Sequence, residues 1–335
     1  MKTSDFDYHL PPELIAQTPI EPRDAARLLQ LDRSSGLIGH FHVHDLPDLL
    51  RPGDLLVANE SRVIPARIYA RKAQTGGAVE VLLLRRLDAV TWQALVRSHR
   101  VHVGTRIEIR PDLVAEVIAI SPNGERVLRF NHPIDARLNE LGVMPLPPYI
   151  HAPLHDPERY QTIYAHTPGS AAAPTAGLHF TPHLLAQVRD RGIHVIYVTL
   201  HIGLDTFKPV ETEDVEQHHI HAEYVEVTEE VAAQIRTARA KGRRVIAVGT
   251  TSVRVLETIG EHGLAAFTGD TRLFIYPGYK FRVVDGMITN FHLPKSSLLM
   301  LVAAFAGKEA IDRAYAEAIG RQYRFYSFGD AMLIL

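Results

Sequence analysis

Cysteine is missing altogether from the 335 residues. Its absence excludes disulfides, thiolate metal sites, iron–sulfur clusters and a cysteine nucleophile. Net charge is nearly missing as well: 36 Lys and Arg against 38 Asp and Glu leave a formal −2. No global field draws a polyanion, so nucleic-acid contact would need a local basic face. No uninterrupted apolar segment reaches membrane-spanning length, and Met1-Lys2-Thr3-Ser4-Asp5-Phe6-Asp7 contains no apolar signal-peptide core. The expectation is a soluble, cytoplasmic protein without a membrane partner. Repeats and low-complexity tracts are also lacking. The remaining composition, 46% hydrophobic and 22% charged, is that of a globular chain long enough for two domains or one domain with an insertion.

The most informative stretch is Gly169-Ser170-Ala171-Ala172-Ala173-Pro174-Thr175-Ala176-Gly177-Leu178-His179-Phe180-Thr181-Pro182. It holds no charged residue, yet it is too rich in Gly, Pro and Ala for a core strand. Small side chains let backbone approach a ligand or another surface closely. Thr181-Pro182 reads as an N-cap followed by proline at the first helical position. A plain interdomain linker is the competing reading, against which stand His179 and Phe180.

The organisation along the chain changes twice. Residues 55–58 form a short apolar run suited to a buried strand, and Asn59 to Arg67 is polar and then basic. From about 66 to 145, six β-like runs recur at 66–72, 79–86, 92–98, 106–110, 114–120 and 127–131. Turn signals, Pro122-Asn123-Gly124 among them, separate the runs, which suggests a small barrel or sandwich. Beyond 181 the pattern is α/β. Helices are expected at 183–191, from Thr228 to Gly242, after Gly249-Thr250-Thr251-Ser252, at 296–306 and at 309–319. Strands are expected at 194–200, 244–248, 273–276, 287–291 and 331–335.

Three constellations bear on chemistry. His201 follows a strand, and His219, His221 and Glu223 would share one face of an extended chain. That pattern suits a transition metal, a metal-free acid/base cluster or plain surface histidines. Gly249-Thr250-Thr251-Ser252-Val253-Arg254 after a buried strand suits a small anion or a ribose at a helix start, or simply a capped helix. It has neither a dinucleotide fingerprint nor a P-loop. Arg62, Arg67, Arg71 and Lys72, with Arg97, Arg100, Arg106 and Arg110, form either a phosphodiester-binding face or a solvated one.

Taken together, the strings resemble the S-adenosylmethionine:tRNA ribosyltransferase-isomerase family of queuosine biosynthesis. They are Asn59-x-x-Arg62-Val63-Ile64-Pro65-Ala66-Arg67, Met144-Pro145-Leu146-Pro147-Pro148-Tyr149-Ile150, Tyr160-Gln161-Thr162 and Ala172-Ala173-Pro174-Thr175-Ala176-Gly177-Leu178-His179-Phe180. Further matches are the segment from Arg244 to Arg254, Phe274-Ile275-Tyr276-Pro277-Gly278, Thr289-Asn290-Phe291-His292-Leu293-Pro294 and the segment from Tyr323 to Met332. The likeness spans almost the whole chain. Departures from the family pattern fall at Glu60-Ser61, Asp205 and Ile220-His221-Ala222-Glu223, and none removes a motif.

The resemblance implies an α/β domain over 1–65 and 146–335, interrupted by a β-barrel domain over 66–145. It implies transfer and isomerisation of the ribosyl part of S-adenosylmethionine onto 7-aminomethyl-7-deazaguanine at the tRNA wobble position. Epoxyqueuosine-tRNA would form, with release of adenine and methionine. Such a reaction needs a general base for a C5′ proton made acidic by the sulfonium, which points to His179, His201, His221 or His292. Among these, His179 is favoured by its place between the neutral run and a capped helix. Thr175, Gly177, Phe180, Thr250, Thr251, Ser252, Arg254 and Asn290 would bind S-adenosylmethionine, and Arg62, Arg67, Arg97 and Arg100 would meet tRNA. The sulfonium is its own activating group, so no metal and no cofactor is expected. The expected state is a monomer.

Overall fold

The computed structural model describes residues 1–122, 124–203 and 209–335. Asn123, in the expected turn, and Asp205, one of the departures, lie outside the described residues. The chain separates into two units. One comprises Met1–Ser61, Pro147–Thr167 and Ala173–Leu335, and the other Arg62–Leu146 with Pro168–Ala172. The neutral run is thus divided at Ala173, which the sequence reading did not foresee.

The first unit opens with β1 (Arg27–Leu31), β2 (Ile38–His42), the short α1 (Leu46–Leu49) and β3 (Leu55–Asn59). After β4 (Ser61–Val63), the second unit contains β5 (Arg67–Lys72), β6 (Ala78–Arg86), β7 (Thr91–Arg97), β8 (Arg106–Arg110), β9 (Leu113–Ile120) and β10 (Arg126–Phe130). The short α2 (Leu138–Leu141) and β11 (Gly142–Val143) follow. Then come β12 (Thr167–Ser170), paired with β4, α3 (Pro182–Asp190), β13 (His194–Leu200), β14 (Glu223–Val227) and α4 (Glu229–Ala240). The remaining elements are β15 (Val245–Val248), α5 (Thr250–Glu261), β16 (Phe267–Thr271), β17 (Gly286–Asn290), α6 (Ser297–Ala306), α7 (Lys308–Gly320) and β18 (Ala331–Ile334).

In the second unit the strands run β5-β6-β7-β10-β9-β8 and close where Arg71 and Lys72 pair with Glu108 and Ile107. Every pairing in this ring is antiparallel, so the result is a closed barrel. The alternation of β8, Arg-Ile-Glu-Ile-Arg, explains its inside and outside: Ile107 and Ile109 are buried and their charged neighbours exposed. A sandwich, the other form open to this pattern, would have left edges.

The first unit is built on a nine-stranded sheet in the order β16-β14-β13-β3-β15-β17-β18-β1-β2. Its centre, β13-β3-β15-β17, is parallel, and β3, β15 and β17 bury every residue, as strands covered on both faces do. The core gathers Leu28, Leu56, Phe180, Leu184, Val188, Ile246 and Ile288, each stabilising by about 1.5–3 kcal/mol on burial. The helices start where hydroxyls cap them. Thr181 accepts from the Leu184 N–H at 3.0 Å, Thr228 from Val231 at 3.3 Å and Ser296 from Leu299 at 3.1 Å.

The expected strand at 273–276 is absent. These residues join no ladder, and Phe267–Thr271 forms β16 instead. Gly269 and Asp270 are weak strand formers, recruited here by pairing with Val225 and Tyr224 of β14. The apolar residues after them serve packing: Ile275 is buried, and Phe274 meets the rings of His218 and Tyr276 at 5.2 and 5.1 Å. Strands β2 and β14 also went unread.

Candidate active site

Strands β13, β15 and β17 end at one edge of the sheet, and the segments leaving them wall a cleft. Ile202 follows β13, Gly249, Thr250 and Thr251 follow β15, and residues 289–293 end and follow β17. Tyr149, residues 173–176, Leu298, Tyr326 and Ser327 complete the wall of this solvent-open cleft. The carboxyl ends of parallel strands are where open α/β sheets hold ligands. Among the described lining residues there is no Lys, Arg, Asp or Glu.

Two glycines make this geometry possible. A Cβ on Gly177 would overlap the Tyr164 hydroxyl and lie 2.8 Å from Thr162 Cγ2, so the turn Thr175–His179 can sit only with glycine there. Gly249 takes a φ of +90°, turning the chain from β15 into α5. The first N–H groups of α5 have no intrahelical acceptor and carry the positive end of the helix dipole. Ser252 Oγ donates to the Val248 carbonyl at 2.8 Å. Thr251 Oγ1 is buried with no hydrogen-bond partner among the described residues.

Asn290, the last residue of β17, connects three groups. Its Nδ2 lies 3.3 Å from His179 Nε2 and donates to the Tyr326 carbonyl at 3.2 Å, while its Oδ1 accepts from the Thr175 hydroxyl at 3.1 Å. The Arg23 carbonyl also bonds the His179 ring. Burial, reinforced by the Arg324 and Arg23 charges, holds the His179 pKa at about 4. Tyr326 adopts a φ of +70°, a conformation costing a non-glycine residue about 1–3 kcal/mol.

His292 lines the cleft, and burial alone pushes its pKa down to about 3. Its Nε2 is 3.1 Å from Thr289 Oγ1 and its Nδ1 3.4 Å from the Tyr315 hydroxyl, which accepts the His292 N–H at 2.9 Å. Tyr8 donates to the His292 carbonyl. Also in the wall, Tyr149 OH and Ser327 Oγ share a hydrogen bond of 2.7 Å. The Tyr149 and Tyr326 rings lie 4.7 Å apart, and burial pushes the Tyr326 phenol up to about 12.

The structure therefore brings Thr175, Thr250, Thr251, Asn290 and His292 to one cleft. The other candidate residues are placed elsewhere. His179 lies behind Asn290 and is not a lining residue. Phe180 is 1% exposed and belongs to the hydrophobic core. Gly177 and Ser252 are buried and act through the backbone they shape. His201 stacks on Tyr224 at 5.5 Å, and His221 is half-buried. Arg254 pairs with Glu223 and donates to the Leu273 carbonyl at 3.1 Å. Glu223 Oε1 in turn accepts the Gly203 N–H at 3.2 Å. His219, His221 and Glu223 do not converge as metal ligands. Among the described residues the cluster with that geometry is His42, His44 and Asp45, with both histidines exposed.

In the barrel, Arg97 and Arg100 are exposed and Arg62 is half-buried. Arg67 is tied within its own unit, with Nε 3.1 Å from Glu80 and Nη2 donating to the Leu146 carbonyl at 3.3 Å. Tyr149, Ile202, Leu298, Tyr326 and Ser327 went unassigned from the sequence. Tyr149, Tyr326 and Ser327 belong to quoted strings, but no residue type in them announced a wall of this cleft.

A family model described as "Queuosine biosynthesis protein" matches residues 3–334. The S-adenosylmethionine:tRNA ribosyltransferase-isomerase of Moorella thermoacetica is 54% identical over 342 residues, covering 100% of both chains. The protein of the same name from Symbiobacterium thermophilum is 54% identical over 341 residues, again covering 100% of both. The crystal structure of S-adenosylmethionine tRNA ribosyltransferase from Thermotoga maritima shares 43% identity with a TM-score of 0.59, over 99% of this chain and 100% of that one. Matching motifs, fold and full-length coverage agree, and the chain belongs to the queuosine biosynthesis protein family.

Proposed function

We propose that this enzyme transfers and isomerises the ribosyl part of S-adenosylmethionine onto 7-aminomethyl-7-deazaguanine at the wobble position of tRNA. Epoxyqueuosine-tRNA forms, and adenine and methionine leave. The reading draws on the full-length relatives of that name, and the observation that carries it is the uncharged, aromatic-bearing cleft. A sulfonium ligand suits such a wall. Tyr149 and Tyr326 put aromatic rings in the wall for a cation to meet, and among the described lining residues no lysine or arginine repels it. The N-terminal turn of α5, with Thr250 and Thr251, holds the ligand's carboxylate.

The sulfonium acidifies the C5′ protons of the ribose, and a base must take one before adenine departs. His292 is the one of the four candidate histidines that lines the cleft, and we assign it that proton. Exposed Arg97 and Arg100 on the barrel meet tRNA phosphates, with Arg62 of the same unit. The enzyme works in the cytoplasm as a monomer, without a metal or resident cofactor, so chelation leaves turnover intact. Adenine release from S-adenosylmethionine, with and without tRNA carrying the deazaguanine base, tests the reading. Release that requires this tRNA is expected, and no release with both substrates present would overturn it.

A further inference from the structure

The hydrogen-bond directions around Asn290 are set by one group that has no choice. The Tyr326 carbonyl can only accept, so the amide side facing it at 3.2 Å is Nδ2. The same Nδ2 lies 3.3 Å from His179 Nε2, which must then accept, so the proton of the neutral ring sits on Nδ1. The opposite side of the amide, Oδ1, has no proton, so the Thr175 hydroxyl donates to it at 3.1 Å. Thr175 has only that one proton. Toward the cleft its oxygen therefore offers lone pairs alone, and it is an acceptor for a hydroxyl of the bound ribose.

We infer that His179 is a positioning residue: its Nε2 fixes the Asn290 amide, which in turn commits the Thr175 oxygen to accept from the ribosyl donor. This rests on the reading of the cleft as the ribosyl-transfer site. A base at His179 would have to release the Asn290 amide to use Nε2, and the ring has no place in the cleft wall. The charged groups nearest the ring are Arg23 and Arg324, both of which oppose its protonation.

The variants His179→Gln and His179→Leu separate the roles. Glutamine can place an acceptor oxygen near the position of Nε2 but takes up no proton. Leucine supplies no acceptor and leaves a buried amide proton unpaired. His179→Gln should keep kcat within about threefold of the parent, with the same pH profile, whereas His179→Leu should lose about 10- to 100-fold. Thr175→Val should lose a similar factor, and His179→Leu/Thr175→Val no more than the slower single variant, because both break one chain. Where His179→Leu fails to fold, Asn290→Asp, which cannot donate to His179, should show the same loss. A glutamine variant as slow as the leucine variant, or additive losses in the double, overturns the inference. Nitrogen NMR of the histidine-labelled protein checks it independently of turnover. The His179 ring should stay neutral with its proton on Nδ1 from about pH 6 to 9. Protonation of Nε2 in that range overturns the inference even if the ribosyl-transfer reading fails.

Discussion

Arg254 of α5 and Glu223 of β14 form a buried ion pair, Nη1 to Oε2, with side-chain exposures of 7% and 6%. The pair joins two motifs that the sequence presents as separate. Arg254 belongs to the helix start suited to an anion, and Glu223 to the histidine-rich stretch suited to a metal. Each meets the other's requirement. Arg254 has its counter-ion and the Leu273 carbonyl, while Glu223 has Arg254 and the Gly203 N–H. With Arg254 so paired, the anion-binding role proposed for this helix start falls to the N-terminal turn of α5 alone.

Breaking the pair should be costly. Glu223→Gln leaves a buried guanidinium without its counter-charge, a change that typically destabilises by about 3–5 kcal/mol. The double variant Glu223→Gln/Arg254→Met should cost clearly less than the two single losses added together. Chemical denaturation of all three measures this. Additive losses would show that the two side chains do not act as a pair.

Acid should destabilise the fold through its buried histidines. Burial holds His292 at about 3 and His179 at about 4 in the folded chain. An unfolded histidine titrates near ~6.5. Between those values the unfolded chain binds protons that the native one refuses. Stability therefore falls as pH drops from about 6.5 toward 4, by up to about 1.4 kcal/mol per pH unit for each ring. Above that window the two rings are neutral in both states and contribute no slope. His292→Gln should flatten the decline, as read from urea unfolding at several pH values. An unchanged slope would mean that the native state protonates His292 without penalty.

Binding of tRNA should depend steeply on salt despite the net charge of −2, because contact with phosphates releases counterions. Replacing Arg97 and Arg100 with alanine should lower the log–log salt slope by about 2 and weaken tRNA binding. S-adenosylmethionine affinity should hardly change, since neither residue lines the cleft. Equal losses for both ligands would sink the assignment of the barrel arginines to RNA.

The barrel strands were legible because short β-prone runs recur between turn residues, some with the clean alternation of Arg-Ile-Glu-Ile-Arg in β8. The capped helices were legible because Thr181, Thr228 and Ser296 announce their own starts. Local chemistry of this kind is written within four or five neighbours. Strand β16 was not legible, because Gly269 and Asp270 are strand residues only by virtue of β14 beside them. The roles around the cleft were decided in the same non-local way. Sequence could place His179 next to Phe180, but only folding brings Asn290, 111 residues away, to its Nε2, and Glu223, 31 residues away, to Arg254. Residue type limits what a side chain can donate, accept or ionise. Which of those capacities is used depends on the partner that tertiary packing delivers and on the water it removes.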